Sequence, residues 1–179
     1  MKKAFLLIAC LIASGLFLYL AGCISAVTAK DSVDDAAQKS SFNFVFKYGV
    51  TAGNELDTFH GTFTKDMVMD PAITIELVLS AEEMDSVYQK MAEIDFFNYP
   101  DEFSVDVPEG AIKTEVAPYS TYSFRVTYGG KTKELLWHDK ITNSDEKADK
   151  LKELINLIRN IVESKEEYKN LPEPGSGYL

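Results

Sequence analysis

The 179-residue sequence has two cysteines, Cys10 and Cys23, and neither lies beyond residue 23. A domain formed by the rest of the chain therefore has no disulfide and no thiolate metal site, and a hydrophobic core must hold it together. There are two histidines, His60 and His138, and one tryptophan, Trp137. Cationic charge is also scarce, with 18 Lys and Arg against 28 Asp and Glu. Phosphate backbones repel such a chain, and without a basic patch nucleic-acid binding is not expected. No CxxC, HExxH, P-loop or G-x-S-x-G occurs. No cofactor and no metal site are expected, and no enzymatic activity.

What is present begins at the N-terminus. Met1-Lys2-Lys3 precedes a stretch without charge from Ala4 to Ala29. A basic start, an apolar run and then small residues make the pattern of a secretory signal. The apolar run Ala4 to Leu20 is 17 residues, at the lower edge of what crosses a hydrocarbon core as a helix. Its ending separates the two possibilities. Leu20-Ala21-Gly22-Cys23 resembles the lipobox of bacterial lipoproteins: an aliphatic residue, two small residues and a cysteine. The resemblance covers residues 1–22 as signal peptide and Cys23 as the lipidation site. It implies a diacylglyceryl thioether on the Cys23 sulfur, cleavage after Gly22, and attachment to the extracytoplasmic face of the cell membrane. Two acyl chains give stable attachment at about 0.8 kcal/mol per buried methylene, where one chain binds only marginally. Cys10 stands too early for such a box and is expected to leave with the signal.

Processing would leave 157 residues with 16 basic and 28 acidic side chains. That size suits one domain. The acidity disfavours a domain lying flat on anionic lipid. Residues 23–40 read as the lipidated cysteine and a flexible tether, polar and without sustained apolar period. As a coil, residues 24–40 would reach about 20–25 Å.

From residue 41 a single α+β domain is expected, ending near residue 169. Phe42, Phe44, Phe46 and Tyr48 alternate with Asn43, Val45 and Lys47, the period of a half-buried strand. A second strand is predicted from Leu56 to Lys65, with Phe59, Gly61 and Phe63 on one face. Asp70-Pro71 reads as a break, and a third strand follows with Ile73, Ile75, Leu77 and Leu79 alternating. Ser80-Ala81-Glu82-Glu83 is a capping box, and Met84, Val87, Tyr88, Met91 and Ile94 make one helical stripe after it. A polar loop runs from Pro100 to about Pro118. Tyr122, Phe124, Val126 and Tyr128 mark a fourth strand, and Gly129-Gly130 a two-residue hairpin loop. The fifth strand turns Leu135 and Trp137 inward. Asn143-Ser144-Asp145-Glu146 opens a last helix whose stripe is Ala148, Leu151, Leu154, Ile155, Ile158, Ile161 and Val162. Residues 170–179 read as a disordered tail.

The expected architecture is an antiparallel sheet of about five strands in the order βββ-α-ββ-α, with two helices packed on one face. Its other face would carry Thr58, His60, Thr62, Thr64, Thr74, Glu76, Ser123, Arg125, Thr127, Thr132 and Glu134. His60 lies in phase with threonines and reads as a solvated residue. His138-Asp139 stands at a strand end, where neighbouring side chains point to opposite faces and do not make a base and its orienter. The loop carboxylates Asp95, Asp101, Glu102, Asp106 and Glu109 lack the alternating ligands and central glycine of a calcium loop. Leu171-Pro172-Glu173-Pro174-Gly175 departs from a sortase signal at Pro174, which stands where the acyl bond would need threonine.

A wider resemblance rests on Glu93-Ile94-Asp95-Phe96-Phe97-Asn98-Tyr99-Pro100 and Tyr128-Gly129-Gly130-Lys131-Thr132-Lys133. These stretches resemble a group of lipoproteins of Gram-positive bacteria that has no known activity. The resemblance would span most of residues 42–162 and implies class and compartment alone. The functional expectation is a membrane-anchored domain that binds a protein or an envelope component. An inhibitor or immunity-type lipoprotein is the alternative, with a small envelope enzyme behind it.

Overall fold

The computed structural model describes residues 42–178. The expected signal peptide 1–22, Cys23 and the tether to residue 40 lie outside the described residues. The order is β1 (Asn43–Tyr48), β2 (Asn54–Asp57), β3 (Thr62–Met67), β4 (Asp70–Glu76), α1 (Ala81–Glu93), a 3-10 turn (Phe96–Asn98), β5 (Glu102–Phe103), β6 (Thr121–Tyr128), β7 (Lys131–His138), α2 (Glu146–Ser164) and α3 (Glu166–Lys169). The strands form one sheet in the order β4-β3-β2-β1-β6-β7-β5.

The class is α+β, but the sheet has seven strands rather than five, and it is mixed rather than antiparallel. Two hidden elements account for the difference. Leu56 to Lys65 is a hairpin, not one strand: Leu56 lies directly opposite Phe63. Asp57 accepts hydrogen bonds from the backbone N–H of Phe59 (2.9 Å) and of His60 (3.2 Å), closing the turn between β2 and β3. Phe59 is correspondingly exposed, not inward. The second hidden element is β5, two residues long inside the expected loop, pairing parallel to β7 at the sheet edge. It carries Phe103 inward against Trp137, ring centroids 5.4 Å apart.

Pro71 sits inside β4 rather than breaking the chain. β4 is an edge strand, where a residue without an N–H need not cost a ladder bond. β4 ends at Glu76, and Leu77 and Leu79 continue inward as irregular backbone. The Gly129-Gly130 loop has φ of 51° and 73°, the left-handed pair that a two-residue hairpin requires.

Phe44, Phe46, Leu56, Phe63, Phe124, Val126, Leu135 and Trp137 make the buried face of the sheet. Facing it are Val87, Tyr88 and Met91 of α1 and Ala148, Leu151, Leu154, Ile155, Ile158 and Val162 of α2. All belong to one continuous core. Ion pairs Lys90–Glu153 (3.2 Å) and Lys165–Glu83 (2.6 Å) tie the two helical segments together. α3 adds a third helix, whose Tyr168 ring packs edge-on over Phe63 at 5.5 Å.

Residues 170–178, expected as a disordered tail, make specific contacts beside β3. Glu173 reaches Lys65 at 3.2 Å, and the Tyr178 hydroxyl donates to Asp66 at 2.5 Å.

Candidate binding face

Strand pairing decides which side chains share the uncovered face, because directly opposed residues point the same way. One row across the sheet runs Glu76, Thr62, Asp57, Val45, Arg125, Glu134. The next runs Thr74, Thr64, Glu55, Lys47, Ser123, Leu136 and ends on Glu102 of β5. Sheet twist hollows the middle of this face into a groove of about 530 Å³, lined from Val45 and Asp57 across to Glu102 and Leu136. Val45 at the groove floor is only 7% exposed although no layer covers it. Its neighbours' side chains wall it in.

The electrostatics are uneven. Lys47 and Arg125 are the groove's two cations, against the carboxylates Glu55, Asp57, Asp101, Glu102 and Glu134. Lys47 is neutralised by Glu55 at 2.5 Å, and Asp101 by Lys133, also at 2.5 Å. Burial alone would raise the Asp57 carboxyl. The hydrogen bond from His60 Nδ1 (2.7 Å) and the two turn N–H groups outweigh it and hold Asp57 below the ordinary carboxylate value. The groove therefore presents an excess of negative charge around Arg125.

Of the residues expected on this face, Thr62, Thr64, Thr74, Glu76, Ser123, Arg125, Thr127, Thr132 and Glu134 are on it. Thr58 and His60 are instead in the β2–β3 turn, where the Thr58 hydroxyl accepts from the Phe44 N–H at 2.8 Å. Val45, Lys47, Glu55, Asp57, Glu102 and Leu136 were not among them. Period-two alternation in β1 pointed to Val45 and Lys47. The strand-like rhythm that continues through the β2–β3 turn conceals Glu55 and Asp57.

His60 is paired with Asp57, an arrangement the sequence reading did not anticipate, but its ring is mostly exposed and the nearby Thr58 hydroxyl is bound to backbone. His138 Nδ1 lies 3.1 Å from the Thr121 hydroxyl, its cross-strand neighbour. The Asp139 carboxylate faces Lys152 at 3.5 Å instead of orienting that imidazole. The loop carboxylates are spread apart: Asp95 binds the Asn98 amide, Asp101 binds Lys133, and the Asp106 N–H donates to Asp145. Among the described residues no group of three or more His, Cys, Asp or Glu is placed to hold a metal ion. No helix among them is long and apolar enough to cross a membrane.

Comparison with protein-family models, with curated proteins and with solved structures finds no match to this chain.

Proposed function

We propose that the chain is a lipid-anchored extracytoplasmic binding module. Cys23 carries the lipid, residues 24–40 are the tether, and the uncovered sheet face is the contact for a protein or an envelope component. One observation supports the contact above others. Helices α1 and α2 both lie on one side of the sheet, and the opposite side carries a charged groove open to solvent. With five carboxylates and two cations in its lining, the groove suits a partner with a basic surface.

The same acid excess favours a second reading, an inhibitor or immunity-type lipoprotein that blocks a basic secreted enzyme. The two readings share a surface and differ in the partner's activity. Catalysis is not part of the proposal, since neither imidazole has both an orienting carboxylate and an unengaged nucleophile beside it.

Two double variants, one at the groove and one at the histidines, test the contact. Glu102→Lys with Glu134→Lys reverses two exposed charges on the face without touching the core. Capture of the partner from native envelope should fall at least tenfold, about 1.4 kcal/mol. His60→Gln with His138→Gln should leave capture intact. A folded histidine variant without function, beside an unaffected charge variant, would favour the enzyme. For the anchor, Cys23→Ala should lose labelling by a fatty-acid analogue and retain the signal. Undiminished labelling would overturn the lipoprotein reading.

A further inference from the structure

A second cleft lies on the other side of the sheet, where the end of β3 meets α2 and α3. Strand alternation puts Lys65 on the core side, between Phe63 and Met67 and opposite Ile73. A lysine there must find an anion, because a buried charge without one is strongly disfavoured. Its side chain is 5% exposed. Its ammonium lies 5.1 Å from the centre of the Tyr168 ring and 3.2 Å from Glu173. Among the described residues Glu173 is its one ion-pair partner. That carboxylate comes from outside any helix or strand and is itself 86% exposed. Around the pair is a cavity of about 370 Å³, walled by Tyr48, Tyr122, Tyr168 and Arg159 and roofed by Pro174. The Arg159 guanidinium lies over the Tyr48 ring at 5.6 Å and is paired with Glu163 at 3.1 Å, and Asp66 also lines the cavity, so Lys65 is the cation that depends on the strap.

This is an unusual division of labour. The cation is fixed in the core, whereas its counter-ion is on a strap held at few points. Leu171 packs against the core, Glu173 meets Lys65, and the Tyr178 hydroxyl bonds Asp66 and Thr51. A segment with an apolar residue, then a glutamate two positions on beside a proline, satisfies an aromatic cleft whose buried cation is Lys65. Another polypeptide with the same pattern would satisfy it equally.

We propose that this cleft is a binding site for a peptide segment of a partner that places one glutamate opposite Lys65, and that residues 171–178 occupy it as a resident stand-in. The site is separate from the groove on the opposite face and independent of the anchor. The strap competes with the incoming segment, and as part of the same chain it does so at high effective concentration. Bound peptide therefore requires the strap to leave.

The test uses the full chain and a labelled peptide of the sequence Leu171–Tyr178, followed by fluorescence anisotropy. Glu173→Ala, which weakens the strap, should bind the peptide at least tenfold more tightly than the unaltered chain. Adding Lys65→Met should remove that gain. A peptide with glutamine in place of its glutamate should bind Glu173→Ala at least tenfold more weakly, which tests the charge even if Lys65→Met fails to fold. The proposal is overturned if Glu173→Ala gains nothing, or if the glutamine peptide binds as well as the glutamate one. It is also overturned if glutarate displaces the peptide as effectively as unlabelled peptide does, since the site would then take small carboxylates.

Discussion

Among the described residues Asp57 and Lys65 are the two charged residues that are buried, and each is where it is because of a neighbour supplied by the chain. Asp57 closes its own turn. Its carboxylate accepts two backbone N–H groups and the His60 ring, so the ionised form is the one the fold holds. With a folded-state value below the ordinary one near 4, Asp57 contributes stability that is full above that value. The contribution is lost as pH falls through the lower folded value, because the unfolded chain takes up the proton first. Asp57→Asn should therefore lower the urea midpoint at pH 7, and the gap to the unaltered chain should close on the acid side. A gap that stays constant down to pH 2 would mean the turn does not depend on the charge. Trp137 makes the complementary point: period-two alternation placed it inward, and it is 1% exposed.

At the scale of elements, what could be read from sequence depended on whether a turn left a chemical mark. Ser80 and Glu83 left one. The Ser80 hydroxyl accepts from the Glu83 N–H at 3.2 Å, and the Glu83 carboxylate accepts from the Ser80 N–H at 2.7 Å. Ser80→Ala should cost about 1 kcal/mol, read as a lower urea midpoint with unchanged slope. No loss would mean that packing of Val87, Tyr88 and Met91 alone defines the start of α1. Gly129-Gly130 left a mark as well. The β2–β3 turn left little, because Thr58, Phe59 and His60 keep the alternating rhythm of a strand through a bend that Asp57 makes. Only Gly61, at φ 64°, hints at it. The turn between β3 and β4 falls just before the Asp70-Pro71 break that the sequence suggests, and there Val68 takes a φ of 65° that β-branched residues rarely adopt. Two-residue β5 is too short for any period to register. Most of the uncovered face was nevertheless legible, since the threonines of β3, β4 and β6 and Arg125 follow from alternation alone. The acidic part was not, because Glu55 and Asp57 depend on the hairpin and Glu102 on the short parallel strand.

For the molecule as a whole, the consequence is a separation of faces. Helices α1 and α2 cover one side of the sheet and make the core. The other side is left with a row of threonines, two cations and an excess of carboxylates. On the function proposed above, the acidity of the processed chain would keep it off anionic lipid, and a partner would be selected by the groove and not by the membrane surface. If the uncovered face is where a partner binds, site-specific photocrosslinking in intact cells will place the contact there. A photoreactive residue replacing Ser123 in the groove should give a discrete adduct, which Glu102→Lys with Glu134→Lys abolishes. The same residue replacing Asn156, exposed on α2, should give none. An adduct from Asn156 with none from Ser123 would place the contact on the helices and contradict the account.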